Sequence, residues 1–270
     1  LILNLENKKL DFSSPKIMGI LNITPDSFFA GSRKQTRDDI LSQANKMLSE
    51  GADILDIGGH STRPDAKKVS NQEEINRVGP AIEWILEEFP ECIISVDTYR
   101  QDVAEYSIKI GAKIVNDIGF GNMDENMIPW IGENNIPYIL SHSRGSFDQV
   151  HQVPNYKNIT EDVIEDFQEK MQILAKFNHE NLILDPGFGF SKNIDHNYEI
   201  VDNFEKIIEI GLPVLVGVSR KSMIYKKLGI RPEDSLPATI ELHKILLRKG
   251  AHILRVHDVK EAKELLNDDH

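Results

Sequence analysis

Short apolar runs recur along the chain, and nearly every one ends in a polar residue. Ile17–Leu21 runs into Asn22, and Asp53–Gly58 leads to Ser61, Thr62 and Arg63. Cys92–Val96 ends in Asp97, and Lys113–Val115 in Asn116 and Asp117. Tyr138–Leu140 ends in Ser141 and His142, and Asn181–Leu184 in Asp185. Pro213–Val218 runs into Ser219, Arg220 and Lys221, and His252–Leu254 into Arg255 and His257. Runs of this length, mostly apolar, read as strands. Between them, apolar residues recur three and four apart. This spacing predicts helices over Asp38–Ser49, Asn71–Glu88, Gln101–Ile110, Met123–Glu133, Thr160–Phe177, Asn197–Ile210, Leu236–Lys249 and Val259–Leu266. Residues 1–14 read as a short extended or hairpin preamble.

Strand and helix alternate throughout, which predicts an α/β fold with a parallel sheet. Eight strand-like runs favour a closed (β/α)8 TIM barrel over an open, doubly wound sheet. In such a barrel the strands' C-terminal ends converge on one face, and the polar residues would meet there. Core packing explains the apolar letters but not the recurrence of polar ones at the same end. Gly51-Ala, Gly111-Ala and Gly250-Ala each precede a strand, where a glycine caps the helix before it. No linker or charge block divides residues 1–270. The chain therefore reads as one domain, close to the size of about 250 residues usual for such a barrel.

A net charge of −12 argues against nucleic-acid binding, which needs a basic footprint. It also requires any anionic substrate to be captured by a local cluster of cations. The single cysteine, Cys92, lies in an apolar run and reads as buried and structural. That suits a reducing, cytoplasmic setting. No apolar run reaches the roughly 18 residues of a membrane span, and no signal peptide opens the chain. The first residue is Leu1, so the chain reads as a trimmed polypeptide or as part of a longer one.

Two polar segments follow early strands. Asn22-Ile-Thr-Pro-Asp-Ser-Phe-Phe carries Phe28 and Phe29, and paired aromatics in a loop suit a segment that covers substrate. Gly58-Gly-His-Ser-Thr-Arg-Pro combines glycines with Thr62 and Arg63, donors suited to phosphate oxygens. Asp97, Asn116 and Asp185 would each singly suit a helix cap or an Asx turn. Together they could read a flat heterocycle bearing both donors and acceptors. Ser219-Arg220-Lys221-Ser222 places two cations at the start of a helix, where anions are favoured. Arg255 and His257 flank Val256 and point to one side. With Arg63 they could bind phosphate, or they could form salt bridges inside the barrel. No strong metal-binding spacing is present. Mg2+ held by Asn22 and substrate phosphates is compatible with the sequence, since Mg2+ often uses few protein ligands.

These motifs, in this order, resemble the dihydropteroate synthases, folate-pathway enzymes inhibited by sulfonamides. The likeness rests on Met18-Gly-Ile-Leu-Asn-Ile-Thr-Pro-Asp-Ser-Phe, Gly51-Ala-Asp-Ile-Leu-Asp-Ile-Gly-Gly, Ser61-Thr-Arg-Pro, Ser95-Val-Asp-Thr-Tyr, Asn116-Asp-Ile, Asp185-Pro-Gly-Phe-Gly-Phe, Ser219-Arg-Lys-Ser and Arg255-Val-His-Asp-Val. It implies condensation of 6-hydroxymethyl-7,8-dihydropterin pyrophosphate with p-aminobenzoate, giving dihydropteroate and pyrophosphate. Carried over by motif, Asp97, Asn116, Asp185 and Lys221 would hold the pterin. Asn22 would help place Mg2+, and Thr62, Arg63, Arg255 and His257 would bind the pyrophosphate. Phe28, Pro64, Phe190 and Ser222 would shape the aminobenzoate pocket. A homodimer is implied, and fusion to the pterin pyrophosphokinase that makes the substrate is a further expectation. The chain departs from the family pattern at Phe29-Ala30, at His60 in place of a usual Glu, at Ser141–Arg144, at Ser191 in place of a common Gly, and at Leu236-Pro237. Two alternatives stand beside the synthase. One is a pterin-binding methyltransferase domain of the corrinoid type, which has no pyrophosphate to bind. The other is a non-catalytic pterin-binding paralogue.

Overall fold

The computed structural model describes residues 1–6, 8–24, 36–60 and 69–268. In chain order its elements are β1 (Ile2–Leu5), β2 (Lys8–Asp11), β3 (Lys16–Asn22), α1 (Arg37–Ser49), β4 (Ile54–Gly58), α2 (Asn71–Glu88), β5 (Ile93–Asp97), α3 (Gln101–Lys109), β6 (Ile114–Asp117), α4 (Met127–Asn134) and β7 (Tyr138–Ser141). They continue with α5 (Ile159–Ala175), β8 (Leu182–Asp185), α6 (Ile194–Asp202), α7 (Phe204–Ile208), β9 (Leu215–Val216), α8 (Ser222–Leu228), α9 (Leu236–Arg248), β10 (Ile253–Val256) and α10 (Val259–Asp268). β1 and β2 form an antiparallel hairpin. The other eight strands are parallel, in the order β8-β7-β6-β5-β4-β3-β10-β9. A parallel bridge between Leu184 and Val214 joins the two ends of that order and closes the barrel. The expected (β/α)8 architecture with its hairpin preamble is what forms.

Two hydrophobic clusters follow from the two-residue period of a strand. Ile17, Leu55, Ile57, Ile94, Val96, Val115, Leu140, Leu184 and Leu254 face outward and pack under the helices. Met18, Ile54, Ile114, Ile139, Ile183, Leu215 and Ile253 face inward, where they meet Leu3, Leu5, Leu10 and Phe12 of the hairpin segment. The preamble therefore plugs the N-terminal mouth of the barrel and leaves the C-terminal mouth for chemistry.

The helices sit where their caps and apolar stripes place them. Ser70 caps α2 by accepting from the Glu73 N–H, and Val78, Ala81, Ile82 and Ile85 are buried beneath it. Pro237 stands in the first turn of α9, where a missing N–H costs nothing. Gly51, Gly111 and Gly250 have φ of +102°, +120° and +101°, as helix-ending glycines do.

Two helices differ from their sequence readings. The expected Met123–Glu133 helix begins only at Met127. Asp124 is engaged instead as a cap, accepting from the Asn126 N–H at 3.0 Å and the Gln101 N–H at 2.9 Å. The expected Asn197–Ile210 helix is split into α6 and α7. Asn203 donates through its side chain to the Glu199 carbonyl at 2.9 Å, and such local bonding competes with helix propagation.

Candidate active site

The register turns the barrel interior polar one step above its apolar plug. Two residues beyond Ile54, Ile93, Ile114, Ile139, Ile183 and Ile253 come Asp56, Ser95, Asn116, Ser141, Asp185 and Arg255. Asp56 lies opposite Ser95, Asp97 opposite Asn116, and Ser141 opposite Asp185. A further step places Asn22, Gly58, Asp97 and His257 toward the C-terminal mouth.

These side chains form one connected network. Arg255 donates from Nε to Asp56 Oδ2 and from Nη2 to Asp97 Oδ2, each at 2.6 Å. Asn116 Nδ2 donates to Asp56 Oδ2 at 2.9 Å. Ser141 Oγ lies 2.9 Å from Asp185 Oδ2 and 3.3 Å from Asn116 Oδ1. Asp185 Oδ1 accepts the Gly187 N–H at 2.8 Å. Asp56 Oδ1, Asp97 Oδ1 and Ser95 Oγ are buried without a hydrogen-bond partner. Buried acceptors are costly to leave unpaired. A ligand carrying N–H donors would satisfy them.

Charge in this layer is set by burial against pairing. Burial pushes the Asp97 carboxyl up to about 6, with the Arg255 guanidinium opposing the rise and the Asp56 carboxylate adding to it. Burial works against the Arg255 charge, but Asp56 and Asp97 outweigh it and hold the proton more tightly than usual. Burial pushes Lys221 down to about 8, against the pull of Asp185. The Lys221 ammonium donates to the Phe188 carbonyl and lies 4.4 Å from the centre of the Phe190 ring. His257 stands exposed at the mouth, and the packing on the inner side of its ring, then the neighbouring Arg255, lowers it from the ordinary imidazole value. Its Nδ1 lies 3.1 Å from Ser219 Oγ, and Ser219 Oγ also accepts the His257 backbone N–H at 3.3 Å. Arg220 is committed elsewhere, in a two-point pair with Asp258 at 2.8 and 2.7 Å. Of the two cations expected at the start of α8, only Lys221 faces the network.

The arrangement can read a flat, polar ring and leaves a neutral imidazole toward the mouth. The family model described as "Pterin binding enzyme" matches residues 18–257. The dihydropteroate synthase of Escherichia coli is 41% identical, covering 97% of this chain and 93% of that protein. The chain belongs to the dihydropteroate synthase family. A Yersinia pestis dihydropteroate synthase solved with a sulfonamide drug is similar at a TM-score of 0.92 and 37% identity, over 99% of this chain and 98% of that one. A Xanthomonas albilineans dihydropteroate synthase solved in complex with 7,8-dihydropteroate has a TM-score of 0.88 and 29% identity, over 99% and 97% of the two chains.

The dihydropteroate synthase motifs put Asp97, Asn116, Asp185, Lys221 and Arg255 into one polar layer, with Phe190 beneath Lys221 and Ser222 opening α8. Thr62, Arg63, Phe28 and Pro64 lie outside the described residues, as does Ala30. Arg255 takes up the alternative reading of its strand position. It is spent on Asp56 and Asp97, the interior salt bridge that its strand position also allowed. Asp56 was not singled out from sequence. Its signal was a charged residue between Leu55 and Ile57, two beyond the inward Ile54. Ser141, in a segment that departs from the family pattern, bridges Asn116 and Asp185.

The departure at position 60 is absorbed structurally. His60 Nδ1 lies 3.2 Å from Glu74 Oε1, and its ring meets Tyr99 edge-on at 5.3 Å. Glu74 is buried, which works against its charge, yet His60 and Arg100 hold it below the usual carboxylate range. A carboxylate at position 60 would face Glu74 instead of pairing with it.

Among the described residues, no group of three or more His, Cys, Asp or Glu side chains could hold a metal. The donor set instead fits a hard cation with few protein ligands. A Cβ added at Gly58 would lie 3.4 Å from Asn22 Oδ1 and 3.7 Å from Asp97 Oδ2, so the glycine keeps open a corner lined by oxygens.

Proposed function

We propose that the chain condenses 6-hydroxymethyl-7,8-dihydropterin pyrophosphate with p-aminobenzoate, releasing pyrophosphate and forming 7,8-dihydropteroate. The buried polar layer carries this reading, because its unpaired carboxylate oxygens suit the N–H groups of a pterin edge. Asp97 and Asp185 accept from the ring, Asn116 both donates and accepts, and Lys221 donates to a ring acceptor.

The C–O bond to the pyrophosphate breaks, and its electron pair leaves with the phosphate oxygen. The pterin methylene is left cationic, with its charge spread into the ring. Two nearby carboxylates favour that charge, and a fixed charge in a dry site is worth far more than in water. The aminobenzoate nitrogen forms the new C–N bond and then gives up a proton to the released pyrophosphate or to water. An arylamine needs placement more than activation, so no protein nucleophile is invoked. His257 is neutral at pH 7 and has Nδ1 beside Ser219, which leaves Nε2 for an N–H bond to the leaving oxygens. Mg2+, held by Asn22 and the substrate phosphates, would offset the leaving group's charge. Thr62 and Arg63 belong to the same pyrophosphate end by their motif. Phe28, Pro64, Phe190 and Ser222 belong to the aminobenzoate end.

By the same family likeness, the protein works as a homodimer in the cytoplasm. It is fed by a pyrophosphokinase activity, joined to the same polypeptide or separate. A corrinoid-type methyltransferase domain has no pyrophosphate to bind and would have no use for His257 at the mouth or for the Thr62-Arg63 motif. The test is incubation of the pure protein with both substrates and Mg2+, with mass detection of dihydropteroate. Product from the wild type and none from Asp185→Asn supports the reading. Pterin binding without product would favour the non-catalytic paralogue.

A further inference from the structure

Behind the Asp185 side of the site lies a buried lysine that the proposed reaction does not use. Lys192 is 7% exposed. Its ammonium meets His142 Nδ1 at 2.9 Å, the His142 carbonyl at 3.3 Å, the Gly187 carbonyl at 3.2 Å and the Phe190 carbonyl at 3.0 Å. Burial pushes Lys192 down to about 7, against the pull of Asp185, and these four acceptors take up the protons that its amine or ammonium has to donate. His142 is fixed from its other side. Nε2 lies 2.8 Å from Asp166 Oδ2, which also accepts from Arg144 Nε at 2.7 Å. Asp166 is held at about 2 and can only accept, so the neutral imidazole carries its proton on Nε2 and leaves Nδ1 to accept from Lys192. Burial leaves that imidazole neutral, pushed down to about 3. The chain of contacts therefore runs unbroken from the half-buried carboxylate of Asp166 to the turn after β8.

That turn carries two groups of the site. The Gly187 N–H holds Asp185 Oδ1 while the Gly187 carbonyl is held by Lys192. Phe190 presents its ring to Lys221 while its carbonyl is held by Lys192. Gly187 has φ +67°, and a Cβ there would lie 1.9 Å from the His142 carbonyl oxygen, so the turn is seated directly on the His142 backbone. Ser191, at φ +52° where a glycine is common, adds bonds to both the N–H and the carbonyl of Arg144 at 3.0 and 2.8 Å.

We propose that Lys192 is a positioning residue for the condensation, clamping the turn that aims Asp185 at the pterin and Phe190 at the aminobenzoate side. This rests on the pterin-site reading above. Lys192 touches neither substrate and acts through the backbone carbonyls of Gly187 and Phe190.

Lys192→Met keeps the length and removes the donors, Lys192→Arg keeps the charge, and Ile82→Ala, on α2, serves as a remote destabilised control. Hydrogen exchange of the 185–192 segment is measured together with KM for each substrate and kcat. Lys192→Met is expected to speed exchange at least tenfold in that segment beyond any change in α10. It should also raise KM for both substrates and lower kcat at least tenfold. Lys192→Arg should recover part of each loss, and Ile82→Ala should leave both KM values unchanged. Should Lys192→Met fail to fold, Asp166→Asn at the outer end of the chain is expected to give the same local pattern at smaller size. Exchange that is unchanged, or raised equally throughout the chain, overturns the proposal. So does a loss in Ile82→Ala matching that in Lys192→Met. The exchange arm needs no substrate, so it distinguishes failure of the clamp from failure of the synthase reading.

Discussion

Removing the Arg255 guanidinium tests the electrostatics of the barrel interior directly. In Arg255→Met, Asp56 and Asp97 lose the cation that each contacts at 2.6 Å. Both carboxylates are buried, and Asp56 keeps only the Asn116 amide as a donor. Breaking a buried pair in this way costs about 3–5 kcal/mol of stability, because an uncompensated charge is left behind. The variant has an escape, which is to take up a proton. Asp97 already sits at about 6. An adjacent Arg lowers a carboxyl by about 1–3 units, so its loss carries Asp97 above neutrality. The sign follows from linkage. The folded variant then binds a proton that the unfolded chain, at an ordinary carboxylate pKa, does not bind. Its stability must rise as pH falls from 8 toward 6. The pterin-binding carboxylate is lost over that same range. The assay is the affinity for a pterin analogue without pyrophosphate, followed by fluorescence from pH 5 to 9, beside thermal unfolding at each pH. For the wild type, binding should weaken as pH falls through about 6. In Arg255→Met the same limb should move to higher pH by at least one unit, with a melting temperature that rises on acidification. An unmoved limb would show that Arg255 does not set the state of Asp97, and would refute the reasoning. The analogue lacks phosphate, so any role of Arg255 toward pyrophosphate does not enter.

Three further outcomes are expected. Asp56→Asn keeps the shape but weakens the hold on Arg255 and should lower kcat/KM about tenfold or more, measured by steady-state turnover, since charge-assisted bonds are worth roughly 1.5–3 kcal/mol. Ser219→Ala frees the His257 ring and should raise KM for the pterin pyrophosphate about fivefold, the cost of roughly one neutral hydrogen bond, while the affinity for a pterin without phosphate stays the same by titration. Leu10→Ala opens a cavity between the hairpin and the barrel plug and should cost about 2–5 kcal/mol in denaturant unfolding, with both KM values unchanged because the chemistry lies at the opposite mouth.

The barrel was legible because its strands are apolar on both faces and its helices carry one apolar stripe, so period and order together name the architecture. The site was legible where a polar residue ends a strand, as at Asp97, Asn116 and Asp185. It was obscure where the polar residue sits inside one. Asp56 is flanked by Leu55 and Ile57, and only the inward step from Ile54 reveals that it shares a layer with Arg255. Arg220 and Lys221 look equivalent in sequence, yet Asp258 neutralises the first and leaves the second to the site. Strand ends alone also mislead at Asp117, which turns away and shapes its own loop by accepting from Gly119 and Gly121. Lys192 gave no local sign, because its four acceptors lie on two separate loops.

The most direct test of the account is a structure of the protein with a pterin analogue bound. The pterin ring is expected within the polar layer, hydrogen-bonded to Asp97, Asn116 and Asp185, with Lys221 at its edge and the methylene directed toward His257. A ring bound elsewhere, or carboxylates that keep only their present partners while the analogue is bound, would contradict it.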